Sequence, residues 1–222
     1  MENRIMITHQ TYEGVSFAKQ NLSGEVYQHC RFYVCDFSRA DLTDTQFIDC
    51  QFIARGDIEG CCFAYTQLKE VSFKQCDLSM ADFRGADCFG IEFRSCNLKG
   101  ANFVQASFAN YITHQTFFCS AYISDCNLSY TNLENQQLEE CELFENRWNG
   151  ANLQGATLKG ADLSRGEFSP EQWGQFAMEG CNLCHVDLTG LDPRLVPLKG
   201  VMICDWQQEQ LLESFGLVVI PG

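Results

Sequence analysis

A large apolar residue returns at every fifth position of this chain. The first run is Tyr12, Phe17, Leu22, Tyr27, Phe32, Phe37, Leu42, Phe47 and Phe52; a second starts at Phe63 and keeps its frame to Leu198 and Ile203. Leu or Phe fills 28 of the 38 positions in these two frames, so the period is the organising fact of the sequence. Five matches neither the 3.6-residue period of an amphipathic helix nor the two-residue alternation of a flat strand. A repeat this short points to a solenoid in which each unit forms one side of a coil and stacked coils share one core.

The residues around each central position, i, fit that reading. Small residues sit at i−2, among them Cys30, Cys35, Ala40, Cys50, Cys61, Cys76, Ala81, Cys96, Cys126, Cys141, Ala151 and Cys181. Polar residues sit at i−1, including Asn21, Asp36, Asp41, Asp77, Asp82, Asn102, Asn132 and Asp162. Small-in, polar-out, large-in is the alternation of a strand. Ser, Thr, Lys, Arg and Gly at i+1 and i+2 supply the corner.

The pattern breaks twice. Phe52 and Phe63 are eleven residues apart, and the segment Ile53, Ala54, Arg55, Gly56, Asp57, Ile58, Glu59 and Gly60 matches no repeat, so it predicts a loop leaving a corner. The frame survives through 109–120, but Thr113 stands at a central position. Asn110, Tyr111, Ile112, His114, Gln115, Thr116 and Phe117 around it predict a second, longer loop. Loops on a regular scaffold are where recognition concentrates. After Ile203 the character changes again. Asp205 followed by Gln208 reads as a capping box, Trp206, Leu211, Leu212 and Phe215 give a helix an apolar face, and Gly216 stops it. The tail Leu217, Val218, Val219 and Ile220 must bury itself beside the open end of the solenoid. A two-fold dimer through these residues is one solution, and a monomer capped by its own tail is the other.

The motif Ala/Cys-Asp/Asn-Leu/Phe-X-X resembles the pentapeptide-repeat proteins. Copies include Ala40-Asp41-Leu42, Cys76-Asp77-Leu78, Ala81-Asp82-Phe83, Ala101-Asn102-Phe103, Ala151-Asn152-Leu153 and Ala161-Asp162-Leu163. The resemblance implies an all-β, right-handed quadrilateral β-helix, four repeats to a square coil, with two projecting loops and a C-terminal α-helix. The corresponding division is an N-terminal tail or cap over 1–11, the β-helix over 12–203 and a dimerisation helix and tail over 204–222. Two breaks at these places, together with the strings at 76–83 (CDLSMADF), 118–123 (FCSAYI), 141–148 (CELFENRW) and 166–169 (GEFS), resemble the Qnr quinolone-resistance group. That implies a homodimer that binds DNA gyrase and topoisomerase IV and protects them from fluoroquinolones. The contacts would be made by residues 53–60 and 110–117.

Charge narrows the partners. The chain carries 29 acids against 15 bases, a net charge of −14, which repels nucleic acids and anionic membranes and suits a basic protein surface. An acidic rod can stand in for DNA, and a scaffold for some other basic protein is the alternative function. Residues 1–12 lack the apolar core of a signal peptide, and no run of about 18 apolar residues exists. The expected compartment is therefore the cytoplasm, with the 14 cysteines as thiols.

Candidate chemistry does not change this picture. Cys181-Asn-Leu-Cys184-His185 spells a haem-attachment string, but the frame turns Cys181 inward and Cys184 outward. The nine cysteines at i−2 read as small core residues rather than zinc ligands; Cys119 and Cys204 are the candidates for exposed thiols. His9, His29, His114 and His185 come with no nucleophile motif, and no phosphate-binding glycine loop occurs. The sequence therefore predicts no catalytic residue, no metal and no cofactor.

Overall fold

The computed structural model describes residues 4–113 and 116–220. Backbone partners on adjacent coils are twenty residues apart, as in Ser16 with Asp36 and Asn21 with Asp41, so four five-residue sides make one turn. One side is regular enough to form a six-stranded parallel sheet. Its order is β1 (Met6–Thr8), β3 (Val26–Gln28), β5 (Gln46–Ile48), β6 (Ser72–Lys74), β7 (Ile91–Arg94) and β10 (Ala121–Ser124). On the next side β2 (Thr11–Glu13) pairs with β4 (Arg31–Tyr33), and single parallel bridges continue the ladders elsewhere. The first coil thus starts inside the expected N-terminal tail, because Met6–Thr8 pairs in register with Val26–Gln28.

The interior is a set of ladders. Phe17, Phe37, Phe63, Phe83 and Phe103 stack at 4.8, 4.9, 5.0 and 4.7 Å. Tyr27, Phe47, Phe73 and Phe93 stack at 5.1, 4.9 and 5.1 Å on the opposite side. Ring spacing equals the strand spacing of a sheet, so the same in-register stacking satisfies both backbone and rings. Later coils replace phenyl rings with Leu143, Leu163, Leu183 and the buried Trp148.

The i−2 cysteines do more than fill space. Their thiols reach the central carbonyl of the preceding coil: Cys50 to Tyr27 O at 3.5 Å, Cys76 to Phe47 O at 3.4 Å, Cys61 to Phe32 O at 3.1 Å and Cys181 to Leu158 O at 2.8 Å. Thr45 and Thr66 do the same with hydroxyls at 2.8 Å, and Asn146 with its amide at 2.7 Å. Corners demand left-handed backbone, and residues as large as Tyr65, Met80 and Tyr130 adopt it at φ near 60°.

The C-terminal end departs from the sequence expectation in one detail. A 3-10 turn (Asp205–Gln207) leads into α1 (Gln208–Glu213), and the capping pair is Cys204 with Gln207 rather than Asp205 with Gln208. The reason lies in the last coil. Gln207 is fully buried and its Nε2 donates to the carbonyls of Leu183 and Val186 at 2.9 and 2.7 Å, while its Oε1 accepts from the amides of Cys204 and His185. One side chain thereby replaces part of the missing next coil. Gln172 works the same way in an earlier 3-10 turn (Pro170–Gln172), donating to Trp148 O and Ala151 O at 2.9 and 3.0 Å. Gln210 completes the cap by accepting from the Leu188 amide at 3.0 Å.

Candidate partner-binding surface

Register fixes where the two irregular segments leave the solenoid. Across the first, partners become Asp36 with Cys62 and Gln51 with Asp77, a six-residue insertion that shifts the frame. Across the second they become Asn97 with Asn127 and Asn102 with Asn132, a ten-residue insertion that preserves it. The first leaves between the side of Phe52 and that of Phe63. The second leaves between the side of Phe108 and that of Ile123. These are diagonally opposite corners of the square.

The first segment is a tight excursion. Ile53 is buried, Ala54 accepts from the Asp57 amide at 3.1 Å, and Arg55, Asp57, Ile58 and Glu59 are exposed, Ile58 at 84%. Gly56 takes φ 93°, and Gly60 brings the chain back so closely that a Cβ there would stand 2.7 Å from the backbone of Ser79, Met80 and Ala81. Beside it runs a shallow groove of about 410 Å³ lined by Ile53, Asp57, Ile58, Met80, Lys99 and Tyr130. The Lys99 ammonium lies 5.6 Å from the Tyr130 ring, within cation–π range.

The second segment is not an irregular loop. Strands β8 (Ala109–Tyr111) and β9 (Phe117–Cys119) pair antiparallel, so it is a β-hairpin. A ten-residue insertion is long enough to satisfy its own backbone by doubling back. Ile112 donates to Thr116 O at 2.9 Å near the tip; His114 and Gln115 lie outside the described residues. Thr113 and Phe118 hold central positions in the frame but lie outside the core: Phe118 is 45% exposed and leans edge-on against Phe89 at 5.2 Å. Asn110, Tyr111, Ile112 and Thr116 are exposed, and Phe117 is half-buried against Tyr111.

One residue outside the hairpin holds both of its strands. Gln137 Oε1 accepts from Tyr111 Oη at 2.8 Å, and Gln137 O accepts from Cys119 Sγ at 3.4 Å. Cys119 is therefore half-buried rather than an open thiol, and burial pushes its pKa up. A cavity of about 660 Å³ opens at this base, between residues 104–109 and 134–137. The nearby stretch 134–145 holds Glu134, Glu139, Glu140, Glu142 and Glu145 with no lysine or arginine. The hairpin base thus adjoins the start of an acidic stretch of the chain. Nothing in the five-residue period marks Gln137, Phe89 or the Met80–Lys99–Tyr130 groove. They occupy outward or corner positions, which the repeat leaves unspecified.

At the C-terminus Leu211 and Leu212 are half-buried, while Trp206, Phe215, Leu217, Val218, Val219 and Ile220 are exposed, Val218 at 86%. Among the described residues no group of three or more His, Cys, Asp or Glu is arranged to hold a metal ion, and no helix is long and apolar enough to cross a membrane.

Twenty-residue coils with Leu/Phe ladders and small i−2 residues define a pentapeptide-repeat solenoid. The family model for a pentapeptide repeat region matches residues 26–103, and that for pentapeptide repeats matches residues 137–169. The structure of full-length QnrB1, described as a plasmid-mediated fluoroquinolone resistance protein, superposes with a TM-score of 0.92. It is 46% identical and covers 96% of this chain and 100% of that one. Among curated relatives, pentapeptide repeat protein VPA0095 of Vibrio parahaemolyticus is 56% identical over 143 residues, which is 64% of this chain and 66% of that protein. Quinolone resistance pentapeptide repeat protein QnrB96 of Scandinavium goeteborgense is 47% identical over 132 residues, 60% and 62% respectively. The matched stretch thus spans just under two thirds of these curated relatives. The chain belongs to the pentapeptide-repeat family and is closely related to its QnrB quinolone-resistance members.

Proposed function

We propose that this protein binds type II DNA topoisomerases, gyrase and topoisomerase IV, and protects them from fluoroquinolones. The observation that carries the reading is the end-to-end likeness to QnrB1, a fluoroquinolone resistance protein. Electrostatics supports it. A topoisomerase grips DNA through basic surfaces, and a rod of net charge −14 is steered into the same field. Residues 53–60 and 110–117 supply the specific contacts, since they carry the exposed Ile58, Tyr111 and Ile112 on an otherwise regular surface. Residues 204–222 form the dimer contact, where Trp206, Phe215 and the tail 217–220 present apolar surface beside the end of the core.

The test is gyrase supercoiling at a fixed inhibitory fluoroquinolone concentration, titrated with this protein. Restored supercoiling supports the reading. Absence of any binding to gyrase or topoisomerase IV refutes it and favours a scaffold for another basic protein. Sedimentation of the full chain against Trp206→Ser and Phe215→Ser variants tests the dimer contact.

A further inference from the structure

The last ladder rung brings two cysteines side by side. Asn182 and Met202 are bridged in parallel, with Leu183 N donating to Met202 O at 2.8 Å and Met202 N to Cys181 O at 2.9 Å. Cys184 and Cys204 each lie two residues beyond this last bridged pair, which aligns them on neighbouring coils as the chain turns into the C-terminal helix. Both are partly exposed, and burial together with the neighbouring Cys204 thiol pushes the Cys184 pKa up. In-register parallel neighbours sit about 4.8 Å apart, inside the roughly 4.4–6.8 Å that a disulfide spans between Cα atoms. The remaining partly exposed cysteines, Cys62 and Cys119, have no partly exposed cysteine on the adjacent rung. Position matters as much as proximity: Cys204 is the residue that caps the turn into α1, and its amide is already held by Gln207.

We propose that Cys184 and Cys204 are a redox-active dithiol that closes to a disulfide with a small disulfide of the glutathione class, pinning the start of the C-terminal helix to the last coil. One cysteine thiolate attacks a sulfur of oxidised glutathione, forming a mixed disulfide and releasing one glutathione thiolate. The second cysteine displaces the second glutathione. Two cysteine thiols are oxidised, one glutathione disulfide is reduced to two thiols, and the cysteine protons end on those thiols. This inference does not depend on the topoisomerase reading.

The experiment incubates the folded chain with oxidised glutathione, blocks remaining thiols under denaturing conditions and maps the tryptic peptides. Cleavage at Arg194 and Lys199 separates the two cysteines, and fragment sequencing distinguishes Cys184 from Cys181. The expected result is loss of two of the 14 thiols, a Cys184–Cys204 link, and no link in Cys184→Ser. That variant should fold, because Ser164 holds the equivalent place one coil earlier. Retention of all the thiols, glutathione left singly on either cysteine, or a link between another pair would overturn the proposal.

Discussion

Replacing Cys61 with Ala should cost more than replacing Cys141 with Ala, although both are buried i−2 residues. Each change removes one sulfur and leaves a similar small void, so the packing loss cancels between them at about 1 kcal/mol. The difference is a carbonyl. Cys61 Sγ lies 3.1 Å from Phe32 O and is the only donor found for it among the described residues. On the other sides of the coil a ladder or turn amide serves that carbonyl, but here Ile53 turns away into the first insertion. The Cys35 contact and burial push the Cys61 pKa well up, so it stays a thiol and donates. Leaving a buried acceptor unsatisfied costs about 1–3 kcal/mol. A thiol is a weak donor, so the lower part of that range applies, about 1–2 kcal/mol. For a chain of this size the extra loss is a Tm lowered by roughly 2–8 °C relative to Cys141→Ala. Cys61→Thr should recover most of it, since Thr45 and Thr66 already make this bond at 2.8 Å. Thermal melts of the three variants by circular dichroism decide the matter. Equal melting of the two alanine variants, or no recovery with threonine, would refute the carbonyl argument.

Three further outcomes follow from the geometry. Gln137→Leu should speed hydrogen exchange of the Asn110 and Phe118 amides roughly two- to tenfold, the equivalent of one net hydrogen bond, while leaving Tm nearly unchanged; unaltered exchange would mean Gln137 does not hold the hairpin. Gln207→Leu orphans the Val186 carbonyl and the Cys204 and His185 amides at once, while Leu183 O keeps the Val186 amide. α1 should then lose its exchange protection before the coils melt, and a helix protected as in wild type would contradict the capping role. Burial alone would raise the Glu92 pKa, but Ser72, Arg94 and Lys74 together lower it. Its stabilisation is therefore present above the unfolded carboxylate value near pH ~4.3 and is lost as pH falls through the lower folded value. Glu92→Gln should flatten the acid limb of a stability-versus-pH curve, and an unchanged limb would assign acid sensitivity elsewhere.

The core was legible because a ladder has only one answer for each central position. Phe37, Phe63 and Phe83 repeat the same environment, so period alone places them. The sites of both insertions were legible for the same reason. Their internal structure was not: the second keeps the five-residue frame while leaving the solenoid, so Thr113 and Phe118 resemble core positions by count. Pairing of Ala109–Tyr111 with Phe117–Cys119 depends on chain reversal, which a forward-running repeat does not encode. The capping register was missed by one residue because Asp205 is a good N-cap by composition. The deciding partners, the carbonyls of Leu183 and Val186, lie more than twenty residues away.

The two insertions use the lattice differently, and that bears on binding. Six extra residues shift the frame, so the first segment needs Gly60 to rejoin the ladder against Ser79–Ala81. It is consequently short and pressed onto the rod. Ten extra residues cost no register, so the hairpin can project, and Gln137 and Phe89 hold it against the rod. A partner contacting both must reach diagonally opposite corners of the square. One flat face cannot do that. A cleft that surrounds the rod can, and a DNA-gripping channel is such a cleft. On the topoisomerase reading, each segment then meets a different wall, and removing either one should leave the other's contacts in place while loosening the fit of the whole rod.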